Sequence, residues 1–98
     1  MNKEQYLLNS LSEELGEVQQ CVGKCLRFGT HHQYEKYDET NLEALVREMN
    51  DVHATLMAME VLCDLKIHLD IDRVDQKYER ILSMMRVSEE LGIFDGKY

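Results

Sequence analysis

The 98-residue chain contains no proline and only five glycines, so little in it interrupts a helix. Apolar residues recur at spacings of three and four over three stretches, which is the pattern of one helical face. We therefore predict helices over residues 3 to about 27, about 41 to 65, and 71 to 86 or beyond. The predicted fold is all-α, a single domain over residues 1–98 formed by a small bundle of three main helices with a short C-terminal segment. A chain of this length buries a modest core, so we expect oligomerisation to complete it.

Three apolar stripes are predicted to form the core. Their members are Leu7/Leu8, Leu11, Leu15, Val18, Val22 and Leu26 in the first helix, Leu42, Leu45, Met49, Val52, Leu56, Met59 and Cys63 in the second, and Ile71, Val74, Tyr78, Ile81, Leu82 and Met85 in the third. Residues 96–98 are expected to fray.

Acidic residues border two of these stripes in the same way. At 100° per residue, Glu14 lies at the edge of the first stripe and Glu17 is the next residue out. Glu48 and Asp51 stand in the same relation to the second stripe. A carboxylate at the edge of a core is costly to desolvate unless a positive charge meets it. Two helices packed antiparallel could therefore bring four carboxylates to one point.

Ligands that are all carboxylate oxygens suit a hard cation such as Mg²⁺, with Mn²⁺ as a substitute. No histidine follows Glu14 or Glu48 at the spacing used by di-iron bundles. The net charge of −8 argues against stable nucleic-acid binding, but it allows a nucleotide ligand whose phosphates are bridged by the cation.

Cys21 and Cys25, with His31 or His32, form an alternative set of metal ligands for zinc. The cysteine spacing is helical rather than that of a zinc knuckle, and we favour reduced thiols that act as small apolar groups. No apolar run is long enough to span a bilayer, so no membrane partner is expected. The N-terminus lacks the apolar segment of a signal peptide, which favours a cytoplasmic protein.

The stretch from Phe28 to Thr40 breaks the helical period and is polar and aromatic. Gly29 suits a helix C-cap, and Asp38, Thr40 or Asn41 could begin the next helix. Asp70 or Asp72 is the corresponding candidate for the third helix. Tyr34 and Tyr37 could anchor this loop, which is the simpler interpretation, or stack on a base.

The pattern Glu13-Glu14-x-x-Glu17, followed by Glu48-x-x-Asp51, resembles the metal-binding signature of the MazG-like, all-α nucleoside triphosphate pyrophosphohydrolases. The resemblance extends over most of residues 3 to 85. It includes Lys24 and Arg27 after the first pair, and, more loosely, Lys77 and Arg80 in the third helix.

The resemblance implies hydrolysis of a nucleoside triphosphate to its monophosphate and pyrophosphate, with a metal-activated water attacking the α-phosphorus. The metal ligands it implies are Glu14, Glu17, Glu48 and Asp51, with Glu13 in support at the water. The implied substrate-binding residues are Lys24, Arg27, Phe28, Lys77 and Arg80; the basic ones could equally be solvated surface. Family members work as dimers or tetramers, so a homodimer or homotetramer is expected. No tryptophan is present to stack on a base, and Phe28, Tyr34 or Tyr37 could replace it.

Two other functions are compatible with the sequence. In one, the chain is a non-catalytic helical interaction or regulatory module whose acidic face is merely solvated. In the other, it is a Mg²⁺-dependent phosphohydrolase that releases single phosphates. The products formed from a triphosphate distinguish these alternatives.

Overall fold

A computed structural model of the chain describes residues 1–95, which form three helices and no strand. Helix α1 spans Lys3–Phe28, α2 spans Asn41–Cys63 and α3 spans Ile71–Glu90. The all-α prediction is confirmed, and α3 extends beyond residue 86 as the prediction allowed. The predicted fraying at residues 96–98 lies outside the described residues.

The chain divides into two compact units, Met1–Ile67 and His68–Tyr98. The first unit is a helical hairpin in which α1 packs against α2. The second unit contains α3. Among the helices of residues 1–95, none combines the length and the apolar character needed to cross a membrane.

Side-chain caps determine where the helices of the hairpin begin. Asn2 and Gln5 form a reciprocal capping box before α1, and Thr40 and Glu43 form the same arrangement before α2. At the other end of α1, Gly29 has a φ of 97° and donates its backbone N–H to the carbonyl of Cys25. These caps explain why the helix boundaries were predictable from sequence.

The interior of the hairpin follows a narrower seam than the predicted stripes. Its buried and half-buried members include Leu7, Leu11, Glu14, Val18, Cys21 and Cys25 on α1, and Leu45, Glu48, Val52, Leu56, Met59 and Cys63 on α2. Glu14 and Glu48 thus lie within the seam, whereas the sequence predicted them at its edge. Their position places two carboxylates where a helical hairpin ordinarily buries leucine.

Some residues of the predicted α1 and α2 stripes do not lie in the core of the hairpin, so this part of the prediction is wrong. The exposed members are Leu8, Leu15, Val22 and Leu26 on α1, and Leu42 and Met49 on α2. The cause is geometric, because a two-helix seam covers a narrower strip than a full apolar face. Both helices carry more apolar surface than one partner helix can cover.

The loop between α1 and α2 folds back onto the start of α2. The backbone N–H groups of Asn41 and Leu42 donate to the carbonyls of His32 and Thr30, at 3.0 and 2.8 Å. The Asn41 side chain donates to the carbonyl of Gly29 at 2.9 Å. These bonds satisfy donors that the first turn of a helix leaves free, and they hold the loop in one conformation.

Asp70 is the N-cap of α3, and its side chain accepts from the backbone N–H of Arg73. After the helix, Gly92 adopts a φ of 73°. No residue of α3 is buried, and its predicted stripe is exposed along its whole length, from Ile71 to Met85. An apolar face of this length requires a partner surface to be stable in water.

Candidate metal centre

Three glutamates of the hairpin converge on one point. Glu14 and Glu17 lie one turn apart on α1, and Glu48 reaches them from α2. One carboxylate oxygen from each lies within 4.8 Å of the others. The i, i+3 spacing places the two α1 side chains on the same face of the helix, which is why the sequence pattern predicted their proximity.

Two oxygens of this cluster are buried without a hydrogen-bond partner. Glu48 is only 6% exposed, and its Oε2 receives no hydrogen bond. The Oε2 of half-buried Glu14 is in the same condition. A buried acceptor without a donor is unfavourable, and an ionised one more so. A divalent cation would satisfy both oxygens, and an all-carboxylate donor set fits a hard ion of the Mg²⁺ or Mn²⁺ type.

The electrostatics of the cluster are those of a site with an excess of negative charge. Burial raises the pKa of Glu14, and the charges of Asp51, Glu48 and Glu13 raise it further. The pKa of Glu17 is also raised, first because a proton on its carboxyl group can be shared with that of Glu48, and then because the negative charge of Glu48 lies close to it. Like charges held this close favour protonation unless a cation neutralises them.

Arg47 joins the cluster to the loop. Its Nη1 donates to Glu48 Oε1 at 2.8 Å. On its other side, Nη2 and Nε donate to the two oxygens of Glu39, at 2.8 and 3.2 Å. The hydrogen bond from Arg47 is the main cause that lowers the pKa of Glu39. One guanidinium therefore ties a loop carboxylate to a carboxylate of the cluster.

An open cavity of about 700 Å³ adjoins the cluster, and Glu17 and Glu48 form part of its wall. Aromatic and basic residues line the same cavity, and they include Lys24, Phe28, His32, Tyr34, Lys36 and Tyr37. The Lys24 ammonium lies 5.9 Å from the ring centre of Tyr37. Carboxylates, lysines and aromatic rings around one space are the groups that a metal-bound phosphorylated ligand with a flat ring would need.

The predicted acidic residues fall into two groups. Glu14, Glu17 and Glu48 form the cluster, whereas Asp51 and Glu13 are exposed and lie outside it. Both outer residues are close enough for their charges to raise the pKa of Glu14. The predicted four-carboxylate site is therefore a core of three with two further negative charges nearby.

The predicted basic and aromatic residues are also divided. Lys24 and Phe28 line the cavity, while the Arg27 guanidinium lies 5.6 Å from the ring centre of Phe28. Lys77 and Arg80 lie on α3 in the second unit, where they line a cavity of about 330 Å³. Their contact with phosphate stays a prediction.

Sequence reasoning missed Arg47 and Glu39. They are eight residues apart, and only the loop conformation brings them together. Arg47 also precedes Glu48 directly, a spacing at which helical side chains do not normally face each other. Glu39 lies in the loop and Arg47 in α2, and no sequence pattern marked either residue as part of the site.

The alternative zinc set does not assemble among the described residues. Cys21 is buried and Cys25 half-buried, both as free thiols, and burial raises the pKa of Cys21. Within residues 1–95, the group of metal-ligand side chains that converges is the glutamate cluster.

No family model matches this sequence, and no curated protein or solved structure matches it either.

Proposed function

We propose that the protein is a divalent-cation-dependent nucleoside triphosphate pyrophosphohydrolase with a MazG-like, oligomeric fold. The observation that carries the proposal is the unpartnered Oε2 of Glu48, buried beside Glu14 and Glu17 at the wall of a cavity. A solvated acidic face does not explain a carboxylate that is only 6% exposed. Because the net charge is −8, a bound cation would reduce the repulsion between the protein and a triphosphate.

The chain's own residues suit distinct parts of such a substrate. Glu14, Glu17 and Glu48 would hold Mg²⁺, which neutralises phosphate charge and lowers the pKa of a bound water. Lys24 and Lys36, which also line the cavity, can pair with phosphate oxygens. Tyr34 and Tyr37 offer ring faces for a nucleobase, with their centroids 6.0 Å apart. Glu13 and Asp51 extend the acidic edge where water can be oriented.

Product analysis tests this function. The purified protein is incubated with a panel of canonical and modified triphosphates and Mg²⁺, and the products are separated. We expect monophosphate and pyrophosphate from at least one substrate, and no products with Glu48→Gln. Release of orthophosphate would support the phosphohydrolase alternative. Inactivity across the panel, together with failure of the intact protein to bind Mg²⁺, would support a non-catalytic helical module.

A further inference from the structure

The side chain of Arg47 donates hydrogen bonds to two carboxylates, those of Glu39 and Glu48. Glu39 receives two of its N–H groups in a side-by-side arrangement, and Glu48 receives a third. A planar guanidinium held at both oxygens of one carboxylate has a defined orientation. The Nη1–H group that Arg47 donates to Glu48 is therefore held in place by Glu39 in the loop.

This orientation determines which oxygen of Glu48 remains available. Oε1 accepts from Arg47 at 2.8 Å, and Oε2 is buried without a partner. Groups that hydrogen-bond a metal ligand ordinarily fix its orientation and tune its affinity. The guanidinium also places its positive charge between Glu39 and Glu48, so it offsets only part of the negative charge at the cluster.

We propose that Arg47 is a positioning residue of the cation site, fixed by Glu39, and that it holds Glu48 with one oxygen engaged and the other left for the cation. The inference rests on the metal-binding part of the proposed function and does not require that the bound ligand is a nucleotide. It also assigns a role to the loop, since Glu39 lines the same cavity as the cluster. Loop conformation and cation affinity are coupled through this one side chain.

The test measures the dissociation constant of Mn²⁺ alone, by calorimetry or by the electron paramagnetic resonance signal of the free ion. We expect Arg47→Met to weaken Mn²⁺ binding about 10-fold or more, the usual effect of losing an outer hydrogen bond to a metal ligand. Arg47→Lys keeps the charge but lacks the planar fork, so it should restore only part of the affinity. The matched control is Arg86→Met on α3, which should bind Mn²⁺ like the wild type.

A double-mutant cycle separates positioning from general damage to the loop. Glu39→Gln should weaken Mn²⁺ binding several-fold when Arg47 is present, and it should have no further effect in the Arg47→Met background. Equal effects of Glu39→Gln in both backgrounds would overturn the inference, because Glu39 would then act without Arg47. If Arg47→Met does not fold, the Mn²⁺ dissociation constants of Glu39→Gln and Arg47→Lys test the inference instead.

Two further outcomes distinguish the inference from the function on which it rests. If the wild type binds Mn²⁺ and Arg47→Met binds it equally well or more tightly, Arg47 does not position Glu48, and the cation site itself stands. If the wild type binds no Mn²⁺, the proposed metal centre is overturned together with the inference.

Discussion

Glu48 is the residue on which the site depends, because it is a nearly buried carboxylate in a seam of apolar side chains. If it is a cation ligand, the folded protein binds Mg²⁺ and the unfolded chain does not, so Mg²⁺ raises the free energy of unfolding. At a free ion concentration of about 100 times Kd the gain is about 2.7 kcal/mol. We expect Glu48→Gln to abolish this gain in thermal unfolding measured with Mg²⁺ and with chelator. The exposed Glu79 provides the control, since Glu79→Gln should retain the full Mg²⁺ effect.

The raised pKa values of Glu14 and Glu17 predict how the metal-free protein responds to pH. A carboxyl group whose pKa is higher in the folded state binds more protons there, so its contribution to stability increases as pH falls towards the ordinary glutamate pKa of about 4.3. The lowered pKa of Glu39 acts in the opposite way, and its stabilising contribution is lost as pH falls below that value. In chelator, we therefore expect stability to reach a maximum near this pH.

Urea unfolding across the pH range measures this dependence. The double variant Glu14→Gln and Glu17→Gln should flatten the gain in stability on acidification from neutral pH to about pH 4.3. Glu39→Gln should instead reduce only the loss of stability below that pH. Protons and cations compete for the cluster, so the stabilisation by Mg²⁺ should shrink on acidification. A metal-free protein that loses stability steadily from neutral pH downwards would contradict the prediction.

At the scale of elements, the turn that ends α1 determines how the loop reaches the cavity. Gly29 has φ 97° and ψ 148°, a region that residues with a Cβ rarely occupy. We expect Gly29→Ala to lower the free energy of unfolding by about 1–3 kcal/mol. Because the loop carries Glu39, the same variant should also weaken Mn²⁺ binding.

Gly23 is the matched control for this substitution. It lies inside α1, and a Cβ added there meets no atom within 4 Å. Gly23→Ala should therefore stabilise the hairpin, by up to about 1 kcal/mol, through helix propensity alone. If Gly23→Ala is instead destabilising, a surface of another subunit must approach α1 at this position. Denaturant unfolding of both variants gives the comparison.

The helices were predictable because their signals are local, as the capping residues Thr40 and Asp70 and the break at Gly29 show. The phase of the α1 stripe was not predictable in the same way. Leu11 and Leu15 are both apolar and only one turn apart, and nothing in the sequence says which of them faces α2. Periodicity indicated that the acidic pairs would meet, but the link through Arg47 depends on the loop conformation, which no residue pattern encodes.

For the whole molecule, the apolar stripe of α3 needs a surface that covers it. The predicted stripe of α3 is exposed, with Ile71 at 64% and Tyr78 at 57%. A helix of this kind gains most of its stability from covering its apolar face. The exposed Leu15 and Leu26 on α1 add to the surface that a second copy could bury. These faces support the proposed homodimer or homotetramer.

Light scattering coupled to size exclusion tests the assembly. The wild type should have twice or four times the chain mass of 11.5 kDa at micromolar concentration. Ile81→Glu introduces a charge into the α3 stripe and should shift the protein towards monomer and lower its stability, because burying an unpaired carboxylate is costly. Ser83→Glu adds the same charge about 200° away around the helix, where it should leave the mass unchanged. A wild-type monomer would show that α3 finds its apolar partner within its own chain, and the exposed faces would then require no second copy.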